Sequence, residues 1–303
     1  KIDDSMYIKA SGTWLQDSLN KDIFVEVNLK SIQKKISNDV DDNFVEDIIS
    51  TNDLRPSTET SFHALIKFKY VLHVHSTSTI ANAVYINSEK LLKEQLGKNI
   101  AFIPYIRPGV PLTKIMKDLI ESNTQIIILE NHGLIVAGDN LEKTYELLIN
   151  IHNKLDYIHN DSFSLYEKEG KVDVYDYELK NTKKYEIFRT SDQKLIQTFS
   201  KSLYPDHVIF LGPGLPVFKS ADDANNFNLE MNKKKIKPPP FLIIEKYGLF
   251  QSNSCIDAAS EMIDCFIEVL LRVKLDNELK FLTQEQENEL LNWDAEIYRQ
   301  TIN

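Results

Sequence analysis

Residues 69–76 read KYVLHVHS, and residues 126–139 read IIILENHGLIVAGD. In an extended strand, side chains alternate between faces, so His73 and His75 point the same way and can share one ion. On a helix the same spacing would splay them apart. The flanking Val71, Leu72 and Val74 support the strand. The second stretch is a run of isoleucines ending in a turn, with His132 directly before Gly133. Upstream of the first, RPSTETSFH (55–63) supplies a carboxylate, Glu59. Alone, a histidine pair on a strand or a histidine before glycine is ordinary surface or turn chemistry. Together, three imidazoles and one carboxylate from three segments suit a catalytic metal site with room for a substrate.

Working outward, MYIKASG and DIFVEVNL read as short strands separated by turn-forming residues. Residues 31–53 are polar and amphipathic, with Ile32 and Ile36 four apart and Phe44, Val45, Ile48 and Ile49 on one helical face. A helix is predicted over 57–70, with Ser57 and Glu59 in its first turn. After the HxH strand come a helix from about Ser78 to Asn87 and an extended, proline-bounded segment, AFIPYIRPGVPL. TKIMKDLIES reads as a helix, TQIIILE as a buried strand, and LEKTYELLINIHNKLDYIHN as a long helix.

Residues 161–193 are charged and tyrosine-rich, with few aliphatics, and read as a linker or hairpin. The domains expected are therefore 1–160, metal-binding and catalytic, and 194–303, a smaller α/β region. The second carries a faint internal repeat. Aligning IIILENHGLIVAGDNLEKTYELL with FLIIEKYGLFQSNSCIDAASEMI matches Glu130 with Glu245, Gly133 with Gly248, Leu134 with Leu249 and Glu146 with Glu261, without a gap. PGVPL at 108 echoes PGLPV at 213, and Tyr247 stands in the place of His132. Either the second half is a degenerate duplication that lost a ligand, or both are generic strand–turn–helix units. FLTQEQENELLNWDAEIYRQ reads as one amphipathic helix capped by threonine, with Trp293 and Tyr298 as anchors.

The 303 residues are 42% hydrophobic and 26% charged, as in a globular protein. A net charge of −10 argues against nucleic acid as a general partner. No apolar run reaches membrane-spanning length, and no signal peptide is expected. Cys255 and Cys265, ten apart in a predicted helix, are not expected to pair, so the expected location is cytoplasmic. The chain starts at Lys1 with the periodic pattern SMYIKASG almost at once, so a missing upstream segment is expected.

PSTE (56–59), HVH (73–75) and NHG (131–133) resemble, in order and spacing, the motifs of the class II aldolase/adducin family, typified by fuculose- and rhamnulose-phosphate aldolases. The match covers roughly residues 1–160. YPDHVIFLGPG and LLNWDAEIYRQ are similar to the aldolase-like portion of bifunctional rhamnulose-phosphate aldolase/dehydrogenases. No GxGxxG occurs, so nicotinamide chemistry is not expected.

The resemblance implies a layered α/β/α domain with a mostly antiparallel central sheet. His73, His75 and His132 would bind a divalent metal, foremost Zn2+, with Mn2+, Co2+ or Fe2+ as alternatives. Glu59 would be the catalytic acid/base in reversible C–C cleavage of a ketose or ketose phosphate through a metal-stabilised enediolate. Ser11, Gly12, Ser57 and Thr58 would bind phosphate, aided by Arg55 or Arg107; the family's glycine-asparagine-rich segment is absent from this chain. His63, four residues after Glu59, would support the ligands or serve in packing, and Asn131 would support the ligands. His207 would be a turn residue or an addition to a neighbouring active site, Tyr247 a further candidate, and His152 and His159 surface or core. A homo-oligomer is implied. The same site in related folds serves epimerases, dehydratases and decarboxylases. Adducin-like modules have the fold without the ligands.

Overall fold

Two apolar runs, IIIL at 126–129 and FLII at 241–244, form the buried centres of two four-stranded sheets. The computed structural model describes residues 1–38, 44–167 and 170–293. It opens with an antiparallel pair, β1 (Ser5–Lys9) and β2 (Phe24–Asn28), followed by α1 (Leu29–Ser37). Met6, Ile8, Val25 and Val27 turn inward onto Ile32. The amphipathic pattern beyond α1 does not continue as a helix. Residues 39–43 lie outside the described residues, and a single 3-10 turn, Val45–Asp47, follows. There β2 captures the backbone: Glu26 O accepts from Ile49 N–H, and Ile48 bridges Val27.

The helix predicted over 57–70 is only α2 (Thr60–Leu65). The residues before it are held extended, with Pro56 bridging Ala10 and Ser57 N–H donating to Lys9 O. Next come β3 (Tyr70–Val74), α3 (Thr77–Ala83), α4 (Ser88–Leu96), β4 (Ala101–Ile103), α5 (Val110–Leu119), β5 (Ile126–Leu129), β6 (Gly133–Gly138) and α6 (Leu141–Leu155). The strand order is β3-β6-β5-β4, antiparallel except for the β4–β5 pair. Alternation sends Ile127, Leu129, Ile135 and Ala137 onto α2 and α5. It sends Ile128, Leu134 and Val136 onto α3, α4 and α6. This is the mixed α/β, layered and mostly antiparallel domain the motifs imply. Sequence reading missed β6: GLIVAG is buried along its whole length, so it lacks the polar alternation of a half-exposed strand.

The segment 161–193 is not a bare linker. It supplies β7 (Tyr177–Leu179), which pairs with β10, and a 3-10 turn whose Tyr185, Ile187 and Phe188 enter the second core. The second unit continues with α7 (Gln193–Phe199), α8 (Pro205–Leu211), β8 (Val217–Phe218), α9 (Ala221–Lys233), β9 (Phe241–Ile244), β10 (Gly248–Ser252), α10 (Asp257–Arg272) and α11 (Gln284–Leu291). Thr283 caps α11 in a reciprocal capping box. The rest of the predicted C-terminal helix, with Tyr298, falls outside the described residues.

The second sheet repeats the first. Its order is β7-β10-β9-β8, again antiparallel except for one parallel pair, β8–β9. The register agrees residue for residue with the gapless alignment: Leu129 pairs with Gly133, and Ile244 with Gly248. Glu130 N–H donates to Ile103 O, and Glu245 N–H to Phe218 O, at the same 2.9 Å. Asn131 and Lys246 are both left-handed, with φ of 54° and 71°. The faces correspond too, since α6 and α10 each cover the face opposite to α5 and α9. The PGVPL/PGLPV echo does not belong to this repeat: the first opens α5 after a strand, whereas the second precedes β8.

The two units share one core. Ile80, Ala81, Val84 and Tyr85 of the α3 region pack with Ile263, Phe266, Ile267 and Leu270 of α10. Burying each large aliphatic side chain stabilises by roughly 1.5–3 kcal/mol. This seam brings the start of α8 alongside β3.

Candidate metal centre

Alternation along β3 is what aims its histidines. Val71 packs in the α2/α5 core, while Leu72 and Val74 pack on the opposite face. His73 shares Val71's face and meets the edge of Phe62 at a ring separation of 5.4 Å. His132 is the last residue of the β5–β6 turn, reached through left-handed Asn131, with its N–H on Leu129 O. Asparagine tolerates that conformation better than most side chains. Glu59 precedes α2, and its N–H donates to Ser57 Oγ at 3.2 Å.

These segments bring one ligand atom each from Glu59, His73, His75 and His132 within 4.8 Å of one another. His73 Nε2 and His75 Nε2 are 3.1 Å apart, and Glu59 Oε1 lies 3.3 Å from His73 Nε2 and 3.4 Å from His132 Nε2. Metal–nitrogen bonds of about 2.0–2.1 Å in a tetrahedron put neighbouring donors about 3.3 Å apart. The tautomers fit as well. His73 Nδ1–H donates to Leu134 O at 3.1 Å, and His75 Nδ1–H donates to Asp206 Oδ2 at 2.6 Å. With Nδ1 committed to those acceptors, each ring turns its Nε2 into the cluster, where an ion would bind. The donor set therefore fits a divalent ion, with the ring orientations fixed by hydrogen bonds behind the ligands.

Electrostatics point the same way. Burial pushes the His132 imidazole down to about 3, so it is a neutral donor across the physiological range. Burial alone would raise the Glu59 carboxyl, but the imidazoles, His73 foremost, hold it well below the usual carboxylate range. His63 is half-buried one turn further on, stacked on Phe62 at 4.7 Å, and desolvation lowers it to about 3. It is a neutral packing neighbour behind Glu59.

Of the other anticipated residues, KASGT and PSTE are brought together. Ser11 N–H donates to Arg55 O, Gly12 takes a left-handed φ of 73°, and Thr58 follows Ser57 in the adjoining turn. Ser57 uses its hydroxyl to hold Glu59's backbone. The side-chain amide of Asn131 donates to Leu203 O and Lys280 O at 2.8 and 2.7 Å. Arg107 lies over the Trp293 ring at 4.3 Å. His152 Nδ1 meets Ser76 and Ser78 hydroxyls, and His159 is exposed. His207 is fully buried against Phe266, 4.5 Å between rings, and Tyr247 packs on the second sheet; neither joins the cluster. The residue that sequence reading missed is Asp206, one position before His207. After Tyr204 and Pro205 at a helix start, an aspartate reads as ordinary first-turn chemistry.

The family model for the Class II Aldolase and Adducin N-terminal domain matches residues 1–157, just over half of the chain. The chain belongs to this family. Among curated relatives, it is 28% identical over 173 residues to "Uncharacterized oxidoreductase YuxG" of Bacillus subtilis (strain 168), covering 54% of this chain and 25% of that protein. It is 31% identical over 105 residues to "3-oxo-tetronate 4-phosphate decarboxylase" of Escherichia coli (strain K12), covering 29% of this chain and 48% of that one. The chain thus spans about a quarter and about half of these relatives' lengths. Among solved structures, an N-terminal class II aldolase domain from Thermoplasma acidophilum aligns with a TM-score of 0.40 at 24% identity, covering 44% of this chain and 65% of that one. No helix among the described residues is long and apolar enough to cross a membrane.

Proposed function

We propose that this protein is a metal-dependent lyase that reversibly cleaves a C–C bond of a ketose or ketose phosphate. The observation that carries the reading is the convergence of Glu59, His73, His75 and His132, with ligand atoms within 4.8 Å. His73, His75 and His132 would hold the ion, and three neutral imidazoles suit Zn2+, with Mn2+, Co2+ or Fe2+ as alternatives. When bound, the ion supplies Lewis-acid stabilisation of the negative charge that develops on substrate oxygens.

The remaining work falls to side chains of this chain. Aldol cleavage takes the proton from the hydroxyl that becomes the aldehyde and leaves an electron pair on the carbon beside the carbonyl, and that carbon must gain a proton; condensation reverses both transfers. Glu59 is the acid/base group in the cluster. It would take that proton in the condensation direction and return it in cleavage. Phe62, fully buried, with His63 stacked on it, would close the back of the pocket. Ser11, Gly12, Ser57 and Thr58, on two loops joined at the Ala10–Pro56 bridge, are the proposed phosphate contacts. Residues 1–160 would carry the chemistry, in a cytoplasmic homo-oligomer.

The test is elemental analysis beside a His73→Ala/His75→Ala variant, followed by screening of ketose phosphates for aldehyde release. About one divalent ion per chain, lost in the variant, is the expected result. No metal after incubation with zinc or manganese would leave an adducin-like binding module. A second reading, decarboxylation of a sugar-acid phosphate on the same site, draws support from the decarboxylase among the relatives. Release of CO2 rather than an aldehyde distinguishes it.

A further inference from the structure

The second unit repeats the fold of the first without its ligands. Register pairs His73 with Ile135 and Leu179 with Phe250, and Ile135 and Phe250 are equivalent strand positions. Leu179 therefore stands where His73 does, Asn181 where His75 does, and Tyr247 where His132 does. None is an imidazole, so the copy lacks a triad of its own.

It nevertheless reaches the first unit's site at two points. Asp206, buried on α8, accepts from His75 Nδ1 at 2.6 Å across 131 residues of sequence. This is slightly shorter than the roughly 2.7–2.9 Å of a charge-assisted N–H···O bond. On the other side, Leu203 O and Lys280 O hold the amide of Asn131, and Lys280 Nζ donates to Glu130 at 2.7 Å, which clamps the turn carrying His132.

The three imidazoles need this help unequally. His73 and His132 side chains are 6% and 4% exposed, but His75 is 28% exposed. Packing fixes the first two. His75 is the ligand whose ring direction depends most on a hydrogen-bonding partner.

We infer that Asp206 is a positioning residue of the metal centre, lent by a ligandless copy of the fold, which fixes His75 as the Nδ1–H tautomer with Nε2 turned to the ion. This rests on the metal-dependent reading above. A carboxylate behind a ligating histidine both orients the ring and strengthens it as a donor, and loss of such a partner weakens metal binding by about 10–100-fold. Asparagine keeps the shape but can donate as well as accept, so it no longer dictates the tautomer.

The experiment compares wild type, Asp206→Asn and Asp206→Ala in the full chain. Zinc affinity is measured by competition with a chromophoric chelator, and the visible absorption of the Co2+-loaded protein reports ligand geometry. Ring nitrogen NMR on 15N-histidine-labelled, metal-free protein reports the His75 tautomer, and thermal unfolding of the metal-free forms checks folding. Expected are zinc binding about 10–100-fold weaker, an altered Co2+ spectrum, and an Nδ1–H His75 in wild type that becomes mixed or Nε2–H in the variants. Wild-type affinity and an unchanged tautomer in folded Asp206→Asn would overturn the inference while leaving the metal-dependent reading intact. Absence of zinc and cobalt binding in wild type would overturn both. Should Asp206→Ala fail to fold, the asparagine variant and the wild-type tautomer decide.

Discussion

Gly133→Ala is the sharpest test of how the site is built. Gly133 opens β6 beside the HVH segment that carries His73 and His75. A Cβ added there would lie 2.6 Å from the Val74 carbonyl oxygen, 3.3 Å from His73 Cε1 and 3.4 Å from His75 Cα. Close carbon–oxygen contacts lie at about 3.3 Å, so the overlap is about 0.7 Å. The atom in the way is backbone in a paired strand and cannot swing aside. Shared between β3 and β6, the relief still moves His73 and His75 away from His132 by more than the roughly 0.2 Å that ligand distances tolerate. Overpacking of this kind costs about 1–3 kcal/mol, or roughly 2–12 °C in Tm at about 2–4 °C per kcal/mol. Expected in the assay are a Tm loss in that range and at least a roughly tenfold loss of zinc affinity by chelator competition. Gly170→Ala, with open space around its position, is the control and should behave as wild type. A Gly133→Ala protein with wild-type Tm and zinc affinity would refute the claim that the β3–β6 pairing fixes the ligand geometry.

Three further outcomes are expected. Glu59→Gln should keep bound metal by elemental analysis yet lose about 10²–10⁴ in kcat on an identified substrate; equal kcat would remove Glu59 as the acid/base. Asn131→Ala should cost about 2–4 kcal/mol by denaturant unfolding, through two lost hydrogen bonds and a left-handed alanine, and Asn131→Gly should cost less because the backbone conformation is free there. His207, pushed down to about 3 by burial, should make the metal-free protein acid-sensitive. The unfolded chain binds this proton first, so the stability that the neutral ring contributes is complete above about pH 6.5 and lost as pH falls toward 3. Between pH 4 and 6, His207→Leu should flatten the stability slope by about 1.4 kcal/mol per pH unit, one proton's worth; an unchanged slope would mean that the ring is protonated in the fold.

Legibility followed the range of the interactions. His73 and His75 are two residues apart on one strand, so their common direction follows from strand geometry alone. His132 and Gly133 sit in a tight turn whose left-handed asparagine leaves a mark in sequence. PSTE sits next to the carboxylate it orients. By contrast, β6 is buried on both faces and carries no alternation, and the helix after PSTE is cut short by pairing with a strand nearly fifty residues earlier, between Ala10 and Pro56. The segment 161–193 looks polar because β7 is a three-residue edge strand with two of its side chains exposed. Its buried apolar residues are split between two cores, Tyr185, Ile187 and Phe188 in one and Val174 and Tyr177 in the other.

Asp206 shows why a ligand set can be read locally while its support cannot. A metal ligand is recognisable because imidazole is scarce and its spacing must match a strand or a turn. A carboxylate behind it has no such signature, since aspartate is common at helix starts and serves there without any partner. What makes Asp206 different is that the α3–α10 seam delivers α8 to β3, and a seam between two copies of one fold is set by the whole hydrophobic core. The faint repeat and the YPDHVIF segment around Asp206 were the pointers to this support. Matching Tyr247 to His132 marked the second unit as a copy without ligands, and a copy that keeps its fold while losing its ligands is free to serve its neighbour through packing and hydrogen bonds.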